Sequence, residues 1–501
     1  MFNEYNFCTL LTIILFLVCL QCCCRLSQEA SLKIKLIQLQ CHFTWGLRKE
    51  DTDLSELQNR LENDINFSSP DQAGDKHLFS FLAFVNYLQD QPEEALANLT
   101  KAEDHIRKHN KECEKMLIVT YGNFAWLYYH LNDHVKSIHY LEKVEDIKQL
   151  FPAQSPTAFY AEVYGEMGWT FLMYSKKYHE KAKECFEKAL KEYPDNPDWN
   201  CGYATALYRA ESESNTTADS PAGKQLRRAL ELSPGDSYIM ALLGLKLAES
   251  GRLNEAEELI ERALRISPDK PHIIRYVAKF FREHGSMDKA IDLLKRALEE
   301  TPNSAFLHHQ IAACYRKKTF NLHGNRGKNI REEIKYLLLL AIDHCEKAIE
   351  IKSSFIYALI DLARLHAMKR NLTKAEELFQ EAFQVARAKN DNLQNVHQRY
   401  GDFQLYNKRS ESLAIEHYMK GCQIQKDNTV GKKCVKELKM IAKRRIGRNP
   451  SDGEAFGILG YVNKLRGDKL QAIECYEKAL LHSPGNGEFL TALCDLRLSL
   501  H

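Results

Sequence analysis

The sequence predicts an all-α chain of stacked helix pairs, and three observations carry that prediction. Apolar residues recur at spacings of three to four through most of the chain, the period of a helix with one buried face. The short pattern Lys-Ala-Leu or Arg-Ala-Leu, followed by a proline, returns around Ala189, Ala229, Ala263 and Ala297, at spacings of 40, 34 and 34. Glycine and proline are sparse, 23 and 13 of 501 residues, while charged residues make up 27%, which suits a helical chain with wide solvated surfaces.

A 34-residue helix–turn–helix period is that of the tetratricopeptide repeat. The fold class expected is therefore an α-solenoid, a superhelix of about nine or ten helix pairs enclosing a basic central groove or tunnel. A repeat array can use the whole length continuously, because each repeat buries its apolar face against its neighbours and leaves an inner wall for a ligand. The expected division is an atypical apolar extension over 1–30, then repeat subdomains over 31–155, 156–345 and 346–501.

The elements follow in order. Phe7 to Leu20 is an apolar run of 14 residues. As a helix it would span about 21 Å, short for a bilayer crossing. The flank before it holds Glu4 and no Lys or Arg, and Cys19 near its end is followed by Cys22, Cys23 and Cys24. A signal peptide, an acylated anchor and a variant first exon all remain open for it. Leu32 to Leu47 reads as one amphipathic helix and Asp51 to Asp64 as a polar one. Helix pairs are expected over His77–Ile106, Met116–Ile147 and Tyr160–Pro194, where Gly168 lets two helices approach and Ala182 and Ala189 fit the seam. The longer spacing between Ala189 and Ala229 places six extra residues in the polar loop Glu211 to Gly223. Ala297 to Ala348 is 51, which places a 17-residue insertion in the basic segment Lys317 to Lys335; Ala348 to Ala382 returns to 34, and a last clear repeat runs from Gly453 to Asn486.

Formal charge is only +2, so any affinity for a polyanion must come from local clustering. Two clusters stand out. In PHIIRYVAKFFR, His272, Arg275, Lys279 and Arg282 form a stripe separate from the apolar one. Moved on by 34 it lands on Phe306, His309, Ala313 and Arg316, and one repeat further on Tyr357, Ile360 and Arg364; moved back it meets Tyr238, Ala241, Leu245 and Ala248, which are apolar. Cations and rings on one wall suit single-stranded nucleic acid. In GKKCVKELKMIAKRR, Lys432, Lys436, Lys439 and Lys443 share one helix face, suited to backbone phosphates. For each cluster the bland alternative is an ordinary solvated face.

Catalytic chemistry is not legible. The fragment HGNRGKN (323–329) lacks the spacing of a phosphate-cradling loop, His308 and His309 cannot share a helix face as a zinc pair, and no nucleophile elbow or dinucleotide fingerprint occurs. The reading is a non-enzyme with no required cofactor. Of 15 cysteines, five crowd the N-terminus and the rest are scattered singly, as expected of reduced thiols in a cytoplasmic protein. Sequons at Asn66, Asn98, Asn215 and Asn371 keep a secretory alternative open.

Several longer motifs carry a family resemblance. CHFTW (41–45), RKEDTDL (48–54), YGNFAWLYYH (121–130), GYATALYR (202–209), RYVAKFFR (275–282), FLHHQ (306–310) and EFLTALCDLRLS (488–499) resemble the interferon-induced proteins with tetratricopeptide repeats. The likeness runs from about Lys33 to the C-terminus. It implies an antiviral innate-immune protein of the cytoplasm that holds the 5′ end of viral single-stranded RNA, as a triphosphate or an under-methylated cap, and blocks translation. By motif match it implies Arg209 as a triphosphate ligand, Arg275, Tyr276, Arg282, His309 and Gln310 as contacts to the first nucleotides, and Phe355 and Tyr357 as nearby aromatics. Arg60 matches an Arg of cap-binding members, and Glu56 an acid associated with a metal ion, Mg²⁺, near the phosphates. Met173 stands where a phosphate-binding Lys is usual, with Lys176 and Lys177 as candidate substitutes; His179 and His272 stand where Tyr is common, and Asp64 where Gln is. Family members or host proteins at the repeat surfaces are further expected partners, DNA is not, and no stable membrane association is expected. A peptide-binding adaptor without RNA is the alternative function.

Overall fold

The computed structural model describes residues 29–67, 76–109, 114–152, 159–211, 218–322, 328–389 and 391–499. The apolar run from Phe7 to Leu20 lies outside them, as do Asn215 and residues 323–327. The described residues are helical, joined by short turns, with no strand among them. The chain divides into two compact units, one of residues 1–211 with 217–251, the other of 212–216 with 252–501. The break after Gly251 falls inside the stretch 156–345.

The first unit packs four helix pairs: Lys76–Leu88 with Pro92–His109, Leu117–His130 with His134–Leu150, Ala161–Tyr174 with His179–Glu192, and Pro197–Ala210 with Pro221–Leu232. Leu54–Phe67 and Ser237–Glu249 are its further α-helices after 29–37. The second unit packs five pairs: Pro271–His284 with Met287–Glu300, Ala305–Leu322 with Lys328–Ile351, Ile356–Met368 with Leu372–Lys389, Leu393–Phe403 with Glu411–Ile424, and Gly453–Arg466 with Lys469–His482. Leu253–Ile266, Thr429–Arg448 and Gly487–Leu498 are its further helices, packed against those pairs.

Sequence chemistry sets these boundaries. Asp133, Asn196, Ser220, Asp236, Ser286, Asn428, Asp452 and Asn486 each accept a backbone N–H of the first turn they precede. In several pairs the turn uses a left-handed residue, as at Asn132 at φ 60°, Arg370 at 62° and Gly467 at 83°. The alanine ruler holds: Ala182, Ala189, Ala229, Ala263, Ala297, Ala348 and Ala382 are fully buried at helix crossings. A Cβ on Gly168 would meet the Phe186 ring at 2.9 Å, so the expected close approach is there.

Two expectations change. The helix starting the described chain ends at residue 37 rather than reaching Leu47. The chain turns there to bury His42, whose ring bonds Asn123 at 2.9 Å and Thr170 at 3.1 Å; burial drives its pKa down to about 3, so it is a neutral core residue. The second helix begins at Leu54, with Asp53 accepting the Glu56 N–H, not at Asp51. The 17-residue insertion falls where expected and lengthens two helices: Ala305–Leu322 has 18 residues and Lys328–Ile351 has 24. The nine described cysteines are free thiols, seven of them buried. Asn98, one of the sequons, is buried with its amide bonded to Asn86 at 3.0 Å.

Candidate nucleic-acid interface

The wall of the second unit starts on helix Pro271–His284. Ile273, Ile274, Val277, Ala278, Phe280 and Phe281 are buried, which leaves His272, Arg275, Tyr276, Lys279 and Arg282 half-buried on the other side. The Arg275 guanidinium lies 4.7 Å from the Tyr276 ring centre and 5.7 Å from that of Phe306, and donates to the Tyr276 hydroxyl at 3.0 Å. Arg282 donates to Gln310 Oε1 and reaches Glu283 at 3.4 Å. Burial, then the charges of Arg275 and Lys270, push the His272 pKa down to about 4, so its ring is neutral at pH 7. Lys279 has no ion pair among the described residues.

Asp361 organises the next two helices. It accepts from His309 Nε2 at 3.1 Å and Arg364 Nη1 at 2.9 Å, and Arg316 Nη2 lies 3.5 Å away. Burial opposes its ionisation, but Arg316, the His309 hydrogen bond and Arg364 outweigh burial and hold its carboxyl well below the usual range. The His309 ring stands edge-on to Phe355 at 5.0 Å. Phe306 is exposed, and so is Tyr357, whose hydroxyl donates to Asn392 at 2.6 Å. Five cations, Arg275, Lys279, Arg282, Arg316 and Arg364, thus share this wall with rings and with the acids Asp361 and Glu283. His308 faces the other way, its Nδ1 2.9 Å from that of His344, so the two adjacent histidines separate as expected.

The first unit has its own cluster. Arg60 on Leu54–Phe67 donates to the Met173 carbonyl, and Arg209 on Pro197–Ala210 donates to the Leu172 carbonyl at 2.9 Å. These are last-turn carbonyls of Ala161–Tyr174, the electronegative end of that helix. Arg209 also donates to the Tyr238 hydroxyl at 3.3 Å. His179 is pushed to about 4 by burial, then by Arg209 and Lys176. Of the two candidate substitutes for a lysine at Met173, Lys177 is engaged by Asp51 at 2.8 Å, and Lys176 acts on His179. Glu56 is exposed, and no group of three or more His, Cys, Asp or Glu able to hold a metal occurs among the described residues. Mg²⁺ binds through one or two carboxylates with the rest of its shell from water and phosphate, so Glu56 fits only as a ligand shared with a phosphate chain.

On Thr429–Arg448, Val435, Leu438 and Ala442 are buried, while Lys432, Lys436 and Lys443 are exposed and Lys439 half-exposed. None of the four has an ion pair among the described residues. Arg444 and Arg445 pair with Glu411 and Asp452.

The repeat offsets found most of the wall and missed parts of it. Ile360 is buried, and the residue facing the cations is Asp361 beside it. The offset that gave Tyr357 and Arg364 passes one residue short of it, and a lone acid three residues before Arg364 was the only signal. Tyr238, read as part of an apolar stripe, holds Arg209.

Tetratricopeptide-repeat family models match residues 161–196 and 222–271. The human antiviral innate immune response effector IFIT1 is 38% identical, over 91% of this chain and 96% of that protein. A solved structure described as a human IFIT1 dimer with m7Gppp-AAAA is similar with a TM-score of 0.79 at 38% identity, over 90% of this chain and 99% of that one. A human IFIT1 dimer with PPP-AAAA gives 0.77 at 37%, with the same coverage. The shared length, the helix pairs and the motifs agree, and the chain belongs to the interferon-induced proteins with tetratricopeptide repeats.

Proposed function

We propose that this chain is an antiviral protein that captures the 5′ end of single-stranded viral RNA, as a 5′-triphosphate or an under-methylated cap, and blocks its translation. The observation that carries the reading is the wall from Arg275 to Arg364, where cations, rings and one shared carboxylate are fixed together. A solvated face would not hold its charges half-buried. The relatives solved with m7Gppp-AAAA and PPP-AAAA supply the ligand class.

In this reading Arg60 and Arg209 take phosphates. Each guanidinium has five donors, and those left by the helix-end carbonyls can serve an anion. Arg275, Tyr276, Lys279, Arg282, His309 and Gln310 take the first nucleotides, with Phe355 and Tyr357 beside them and His272 a neutral polar neighbour. Lys432, Lys436, Lys439 and Lys443 add sequence-blind phosphate attraction. Glu56 would hold Mg²⁺ alongside the RNA phosphates, where the ion would neutralise charge. The role is binding rather than catalysis, and its place is the cytoplasm. No helix among the described residues is long and apolar enough to cross a membrane.

The test is binding of 5′-triphosphate, capped and 5′-hydroxyl RNAs of one sequence to the full chain. Tight binding of either of the first two over the third is expected. Equal binding of all three would overturn the reading, and a protein ligand retained after nuclease treatment would put a peptide adaptor in its place.

A further inference from the structure

A cavity of about 380 Å³ lies beyond the last residue of the wall, in the second unit. Arg364, Arg399 and Lys433 line it with Asp402, Glu437 and Tyr406, on helices Ile356–Met368, Leu393–Phe403 and Thr429–Arg448. The π-helical turn Gln404–Lys408 carries Tyr406 into its lining, and such turns recur at functional sites. Its volume is in the range that holds a small ligand.

The donor balance of this cavity is unusual. Arg399 is half-buried with no hydrogen bond among the described residues, and its nearest acid, Asp402, is 3.6 Å away, beyond hydrogen-bonding reach. Asp402 is already served by Gln398 at 2.7 Å and the Tyr418 hydroxyl at 2.8 Å. Lys433 is exposed and has no ion pair among the described residues. Arg364 spends one nitrogen on Asp361, and the Arg316 Nε behind it is buried without a partner. The Arg399 guanidinium is part-exposed and paired with Asp402 only at long range, so its five donors are open to an acceptor that enters the cavity. The acids suit the rest of a nucleotide. Glu437 accepts one bond, from Tyr406 at 2.8 Å, and keeps lone pairs for a ribose hydroxyl; the exposed Tyr406 ring offers a face for a base.

We propose that this cavity takes one ribonucleotide of the bound strand downstream of its 5′ end, with Arg399 and Lys433 on its phosphate and Tyr406 against its base. The proposal rests on the 5′-end reading above and extends it along the same unit. Arg282, Arg316, Arg364, Arg399 and Lys433 then supply one cation from each of five helices in chain order, ending on the helix that carries the four open lysines.

The experiment compares 5′-triphosphate RNAs of about four and about twelve nucleotides on the full chain over a salt series. The longer RNA is expected to bind more tightly and with a steeper salt dependence. Arg399→Gln with Lys433→Gln should leave the short RNA unchanged, weaken the long one about tenfold, and reduce its salt slope by about 1.4, two contacts at about 0.7 each. Tyr406→Ala, at an exposed position, should weaken the long RNA alone, which keeps the test usable if the double variant unfolds. Equal affinity of both lengths for the wild type, or equal weakening of both by the variants, overturns the proposal while the 5′-end reading stands. Failure of both lengths to bind removes the 5′-end reading itself. Saturable binding of free adenosine monophosphate that the double variant abolishes, with no length effect, overturns the strand reading in favour of a free nucleotide.

Discussion

Helices Pro271–His284 and Thr429–Arg448 carry nearly the same pattern, cations at helical spacing beside an apolar stripe, yet the fold treats them differently. On the first, the cations are half-buried and both arginines are engaged: Arg275 by two rings, Arg282 by an amide. On the second, four lysines without an ion pair among the described residues, three of them exposed and Lys439 half-exposed, have hydrophobic residues behind them. Periodicity identifies a face; its neighbours decide what the face can do. A desolvated guanidinium held in one geometry can discriminate ligands, whereas a solvated ammonium mostly attracts charge and is screened by salt.

Breaking the engaged wall should cost most. Asp361→Ala leaves Arg316 and Arg364 without their acid and should destabilise the second unit by about 3–5 kcal/mol in a denaturant melt. Asp361→Asn, which keeps one acceptor, should cost less. A change under about 1 kcal/mol for the alanine variant would mean that rings and amides, not the carboxylate, hold the wall.

Acid should act on the same region in two stages. His272, His344 and His397 have folded pKa values near 4, lowered chiefly by burial. The unfolded chain binds protons at these sites first, so stability is full above about pH 6.5 and declines as pH falls toward 4. The Asp361 contribution is present above the ordinary carboxylate pKa and is lost only as pH falls below it. A melting temperature that stays flat from pH 7 to 4 would contradict the first stage.

Arg275→Ala and Arg209→Ala should each weaken 5′-triphosphate RNA by about 1–3 kcal/mol at fixed salt, with little change in melting temperature. Two variants that bind like the wild type would remove both residues from the interface. Replacing Lys432, Lys436, Lys439 and Lys443 together with glutamine should lower the salt slope by about 0.7 per lost contact and leave the preference among 5′ ends unchanged. A changed preference would mean that the open helix also discriminates, and the contrast between the two helices would fail. Lys436→Ala alone should alter stability by no more than about 0.5 kcal/mol.

Much of the fold and the wall was legible because both depend on local period. The alanine ruler marked the helix crossings, and the offset from Arg275 led to Phe306, His309 and Arg316. The offset reached Tyr357 and Arg364 but not Asp361: it named Ile360, which is buried, while the acid beside it faces the cations. Arg60 and Arg209 came only through motif resemblance, since neither belongs to a stripe. Their shared use of Leu172 and Met173 carbonyls is a backbone arrangement that no side-chain pattern records.

By itself, the sequence determined the helices, their pairing and the faces that repeat, because 3.6-residue periodicity, caps and small crossing residues are local properties. Only the tertiary structure decided which cations are engaged, which acid gathers them, and that Arg399 has no hydrogen-bond partner among the described residues. Burial and hydrogen bonding depend on atoms brought near by packing from positions 16 to 52 residues away, for which the linear pattern holds no distance.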